Sequence, residues 1–203
     1  MEDRLVTGMS RALQKICLVR HGETAWTISG QYTGRTDIEL TERGERDAQQ
    51  LSARLRGMTF ANVLTSPLRR ARRTSELAGF GAYAEADADL LEWDYGAYEG
   101  RRTADIETER PRWHLFEDGC PGGETVDAVG ARADHVIARV RACPGDALLF
   151  AHRDIFRVLA ARWLGLAAQE GRYFYLATAS LSVLGYHHDL DEPVIHLWND
   201  ARH

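Results

Sequence analysis

The sequence predicts an α/β fold: a three-layer α/β/α sandwich around a mostly parallel central sheet. Three observations predict it. Apolar runs of strand length alternate with longer segments whose apolar residues recur at spacings of three and four. No linker-like composition interrupts that alternation, and 203 residues, 44% of them hydrophobic, are enough for one core. Two of the apolar runs end by delivering a histidine, in "CLVRHGETAW" and in "FAHRD". Open α/β sheets bind ligands outside the carboxyl ends of their strands.

Taken in order, residues 1–14 read as a flexible extension, with a single domain over 15–203. Residues 15–20, "KICLVR", fit a buried strand. Residues 42–57 fit a helix capped by Thr41, with Ala48, Leu51, Leu55 and Met58 on one face. "NVLTS" is a second strand, and the next helix is expected to start with Ser66 as cap and Pro67 in its first turn. From 96 to 123 the pattern weakens into a short helix near 103–109, an apolar patch at Trp113 and Phe116, and the turn-rich "DGCPGGE". Such irregular stretches in compact domains often serve as binding loops. Residues 124–142 make a clear helix with Val129, Ala133, Val136 and Val140 inward. "DALLFAH" is a strand followed by a helix through Trp163, and two final strands flank the turn "DLDE".

Composition bounds the function. The net charge of −5 gives no global reason to bind nucleic acid or a membrane surface. No apolar run approaches the roughly 20 residues of a membrane helix. The start of the chain lacks the apolar stretch of a signal peptide. Cys17, Cys120 and Cys143 are odd in number and widely spaced, which fits free thiols in a reducing cytoplasm.

Four segments bring polar groups to element ends on what should be one rim: Arg20-His21, Ser66 with Arg70, Glu92, and His152. A phosphoryl group needs such a set. Arginine forks match its oxygens. A neutral imidazole can attack phosphorus and hold it. A carboxyl group can protonate the leaving alkoxide and then activate water. A second histidine, when protonated, can stabilise charge on the equatorial oxygens, and two helix N-termini can add backbone donors. No metal and no cofactor are called for.

"LVRHGETAW" followed by "GRTDIELTERG" resembles the signature of the histidine phosphatase superfamily, in the branch that includes the phosphoglycerate mutases. "SPLRRARRT", "LLEWDYGAYEG", "PGGET" and "FAHRDIFRVLAARWLG" come next in the family's order. The resemblance implies a phosphoglycerate mutase-like fold, with His21 as nucleophile and Arg20 and Arg70 as phosphate ligands. It further implies Glu92 as acid and base, His152 as the second histidine, and Thr27, Thr33 and Gly34 near the substrate. Two positions depart from it. Thr27 replaces the usual asparagine, and Arg153-Asp154 stand after the second histidine, where the family usually has glycine. The finer likeness is to acid phosphatases and sedoheptulose bisphosphatases, because Trp93 stands where mutases are similar in having an arginine. A phosphomonoesterase working on a small phosphorylated metabolite is therefore expected, and the family allows a homodimer. A phosphoglycerate mutase and a non-catalytic phosphate-binding protein are the alternatives.

The remaining features read as surface or stay open. The other arginines of "RRARR" spread over several helix faces and fit solvated surface. "HHDLDE" has metal-ligating residue types but fits a surface turn. Arg153 either lines the pocket and favours a second anion or is simply ion-paired. Trp93, Tyr95 and Trp113 form either a pocket wall or core.

Overall fold

The computed structural model describes residues 13–202. Its strands are β1 (Ile16–Arg20), β2 (Asn62–Thr65), β3 (Glu85–Ala86), β4 (Ala147–Ala151), β5 (Leu181–Tyr186) and β6 (Pro193–Asp200). They form one sheet in the order β3-β2-β4-β1-β5-β6. The pairs β1–β4, β2–β4 and β2–β3 are parallel; β5 runs antiparallel to β1, and β6 antiparallel to β5. Every residue of β1 and of β4 is buried. Helices cover both faces, so apart from Arg20 at the end of β1 these strands are apolar throughout instead of alternating.

Alternate residues of β1 enter different cores. Ile16 and Leu18 pack with Val129, Ala133 and Val136 of α6 (Val126–Ala142) and Leu159 of α7 (Arg153–Trp163). Cys17 and Val19 pack with Leu51 of α2 (Glu42–Arg54) and with Ala78, which caps α3 (Arg69–Leu77). The three layers arise from these two clusters. Three short helices, α1 (Ala25–Ser29), α4 (Thr103–Glu107) and α5 (Leu115–Asp118), lie in the connections.

Several boundaries differ from the expected ones. Helix α3 begins at Arg69 with Leu68 as its N-cap, not at Ser66 and Pro67: the Ser66 hydroxyl lies 2.7 Å from His152 Nε2 and only 3.4 Å from the Leu68 N–H it accepts from. Helix α2 ends at Arg54, and Met58 lies beyond it, 37% exposed. Both α1 and β3 went unpredicted, being too short to show a period. Of the expected extension, residues 1–12 lie outside the described residues. Gln14 lies against the core, its amide nitrogen 2.8 Å from the Val140 carbonyl.

The register of the central pair positions the site. Arg20 pairs with Ala151 across the parallel β1–β4 ladder. The next residue on each strand is a histidine, so His21 and His152 emerge side by side with ring centroids 5.2 Å apart. Gly22 comes next because a Cβ there would stand 2.4 Å from the Gly44 carbonyl oxygen; one at Gly44 would stand 2.2 Å from that of Glu23. The turn after His21 and the first turn of α2 thus touch backbone to backbone.

Candidate active site

His21 is 4% exposed, and its Nδ1 lies 2.7 Å from the carbonyl oxygen of Gly22. A carbonyl only accepts, so Nδ1 carries the proton and Nε2 keeps its lone pair. Burial, then Arg70 and Arg20, hold the imidazole well below its ordinary pKa. The ring is neutral and nucleophilic in form. Its neighbour Arg20 donates from Nη1 to the Leu176 carbonyl at 2.5 Å. Arg20 Nε is buried and has no partner among the described residues. Burial, then Arg153, bring Arg20 down to about 10, where it remains a cation at neutral pH.

His152 is fully buried. Its Nδ1 accepts from Arg70 Nε at 3.2 Å, which leaves Nε2–H to donate to Ser66 Oγ at 2.7 Å. Burial, then Arg70, hold this histidine well below its usual pKa as well. The expected protonated second histidine is therefore neutral here, since a guanidinium N–H already occupies its Nδ1. Arg70 also donates to the carbonyls of Thr36, Thr33 and Gly34 at 2.9 to 3.0 Å. It ties the 33–36 loop to the second histidine.

Glu92 is 3% exposed. Its carboxylate accepts from the backbone N–H of Trp93 at 3.0 Å, Asp154 at 3.1 Å and Ile155 at 3.0 Å. Burial, then the nearby Asp154 carboxylate, raise its pKa above the ordinary value, against the pull of those N–H groups. The expected backbone donors of the two helix N-termini are thus spent on carboxylates. Glu92 takes those of α7, and Asp37 takes Arg69 N–H of α3 at 2.7 Å. An Asp or Glu at the positive end of a helix is the ordinary outcome.

A cavity of about 310 Å³ opens beside these groups, lined by Arg20, His21, Glu92, Tyr32, Tyr95 and Arg153. Thr27 and Thr33 also line it, whereas Gly34 does not. Gly34 N–H donates to Glu99 at 2.9 Å, and a Cβ there would meet the Trp93 carbonyl oxygen at 2.5 Å. Thr27 completes the cap of α1: its Oγ1 accepts from Thr24 N–H at 2.9 Å and its N–H donates to Thr24 Oγ1 at 3.2 Å. Threonine at this position is thus committed to local structure. Neither Arg70 nor His152 lines the cavity; they are joined to each other behind its wall.

Residues 16–201 match the family described as "Histidine phosphatase superfamily (branch 1)". The chain belongs to this superfamily. An acid phosphatase of Mycobacterium tuberculosis is 38% identical over 179 residues, covering 86% of this chain and 87% of its own. The sedoheptulose 1,7-bisphosphatase of Saccharomyces cerevisiae is 32% identical over 246 residues, covering 89% and 90%. The solved structure of an open reading frame product of Mycobacterium tuberculosis superposes with a TM-score of 0.85 at 34% identity, covering 93% of this chain and 99% of that one.

Within this histidine phosphatase, sequence reasoning missed one buried assembly. Asp154 is fully buried and accepts from Arg153 at 2.9 Å, from Arg157 at 2.7 Å and from the Tyr95 hydroxyl at 2.6 Å. Burial alone would raise this carboxyl, but Arg153 and Arg157 hold it well below the usual range. The legible signal was R-D-x-x-R in the first turns of an otherwise apolar helix. Tyr95 is pocket wall, while Trp93 is core, its indole N–H donating to the Glu124 carbonyl at 2.9 Å. Trp113 packs edge-on against Tyr32 and Tyr98. His187, His188 and Glu192 gather in the exposed β5–β6 turn, with His188 Nδ1 2.7 Å from Glu192 Oε2. Among the other helix arginines, Arg69 pairs with Glu39 and Arg73 with Glu45, both on the surface.

Proposed function

We propose that this protein is a metal-independent phosphomonoesterase that cleaves a small phosphorylated metabolite through a phosphohistidine on His21. The observation that carries this reading is the Nδ1–H bond to Gly22, which leaves a neutral ring with an unengaged Nε2 lone pair. Nε2 attacks phosphorus as the bond to the alcohol oxygen breaks, and the Glu92 proton moves to that oxygen. The resulting carboxylate then takes a proton from water, whose oxygen displaces phosphate from His21. Glu92 ends protonated and His21 neutral, as they began. Arg20, on the cavity wall beside His21, supplies the positive charge for the oxygens that gain charge, while Arg70 holds His152 behind it. Trp93 puts an uncharged core side chain directly after Glu92, where the resemblance gives mutases an arginine, which supports hydrolysis over retention and re-transfer of the phosphoryl group. Cys17, Cys120 and Cys143 form no disulfide, in keeping with a cytoplasmic location.

Trapping tests the intermediate. Rapid alkaline quenching during turnover of a phosphorus-labelled substrate, with a chelator present, is expected to leave label on His21. Label on no residue, or turnover abolished by the chelator, would refute the scheme. The pH profile is set by the two shifts. His21, held well below 6.5, stays neutral on the acid side, whereas Glu92, raised above 4.5, must remain protonated for the first step. The rate should therefore hold at mildly acidic pH and fall as pH rises through the elevated Glu92 pKa. A strictly alkaline optimum would contradict that assignment.

A further inference from the structure

We infer that Arg153 receives a second anionic group, a phosphate or a carboxylate, carried by the leaving alcohol of the substrate. This rests on the phosphatase reading above and names the substrate class for the same cavity.

Arg153 directly follows His152 and shares a cavity wall with Arg20, His21 and Glu92. Its guanidinium is held in place: Nε lies 3.1 Å from Asp154 Oδ1, Nη2 lies 2.9 Å from Oδ2, and the group sits 5.8 Å from the centre of the Tyr32 ring. Holding a long side chain in advance removes ordering cost from binding. Nη1 makes no hydrogen bond among the described residues, and the side chain remains 37% exposed.

The ion pair does not cancel the charge. Asp154 also faces Arg157 at 2.7 Å, so two guanidinium groups share one carboxylate and positive charge is left over. The carboxylates on the wall do not remove it. Glu92 is the protonated partner in the first step, and Glu23 is occupied by the Thr41 hydroxyl at 2.8 Å and by Arg43 at 4.0 Å. Arg20 and Arg153 are the two arginines of the cavity wall, and of these only Arg153 also lines a neighbouring cavity, with Tyr32, Thr103 and Arg157, that His21 does not reach. Like charges sharing a low-dielectric space repel, and an anion at each relieves both. A phosphoryl group on His21 meets Arg20, the adjoining residue, and Arg153, on the side of the neighbouring cavity, is left for the second anion. The 310 Å³ of space leaves room for a small polyol between two anionic ends.

Matched substrate pairs test this. Fructose 1,6-bisphosphate against fructose 6-phosphate isolates a second phosphate, and 3-phosphoglycerate against glycerol 3-phosphate isolates a carboxylate. Wild type is expected to favour the doubly anionic member of at least one pair by about tenfold or more in kcat/KM. The preferred pair identifies the anion. Arg153→Gln should cut that ratio roughly tenfold, and Arg153→Lys should restore part of it. Asp154 keeps Arg157 and Tyr95 in both variants, and melting curves check that they fold. Ratios near one in wild type, or a ratio unchanged in Arg153→Gln, would overturn the inference. Hydrolysis of 4-nitrophenyl phosphate that is lost in His21→Ala would leave the phosphatase reading standing in that event. No hydrolysis of it by wild type would sink both.

Discussion

A His21→Ala protein is expected to release phosphate from an aryl phosphate at least roughly 10³-fold more slowly than wild type. Under the proposed mechanism the substitution removes the group that forms the covalent bond, while Arg20 remains on the cavity wall to bind phosphate. The loss should therefore fall on kcat, with KM changed far less. The fold is expected to survive. Ring burial holds His21 in a form that costs stability below its unfolded pKa near 6.5, so alanine removes a penalty there rather than a support. Substantial turnover by a folded His21→Ala protein would mean that the nucleophile lies elsewhere. Loss of activity with no labelled intermediate in wild type would instead point to a binding or positioning role.

The second large effect concerns stability. Asp154→Asn should destabilise the protein by about 3 kcal/mol, chiefly because it leaves the largely buried Arg157 facing a neutral amide, Arg153 being in part exposed to the cavity. For a chain of this size that corresponds to roughly 10 °C in Tm. The sign with pH is fixed by the direction of the shift. A carboxylate held below its unfolded pKa contributes fully above about pH 4 and loses that contribution only as pH falls through the lowered value. The gap between wild type and variant should thus be constant through the neutral range and close in strong acid. A melting difference within about 2 °C at neutral pH would show that the assembly contributes little. Lost activity in Asp154→Asn would not by itself identify a catalytic role, since the Asp154 N–H also orients Glu92.

Much of the fold was legible because it depends on local pattern. The strand "KICLV" and the helix stripe at Val129, Ala133, Val136 and Val140 are written in apolar spacing, and the positions of His21 and His152 in where such strands end. The short elements α1 and β3 were not legible, because neither is long enough to show a period. The start of α3 was misplaced for a different reason. Local rules favour Ser66 as cap, but that hydroxyl has a stronger partner 86 residues away in His152.

The sequence by itself determined the family, the sheet architecture and the residue types that handle a phosphoryl group, since each is written in short motifs and their order. Only the tertiary structure decided the states of those residues. The tautomer of His21 depends on one carbonyl, the neutrality of His152 on Arg70, and the elevated pKa of Glu92 on burial beside Asp154. Whether Arg153 is a surface cation or a fixed wall of the cavity depends on Asp154, Arg157 and Tyr95 meeting at one buried point. The physical reason is common to all four. Charge and proton placement are set by dielectric surroundings and partners brought together by folding, and these are not properties of any contiguous stretch of chain.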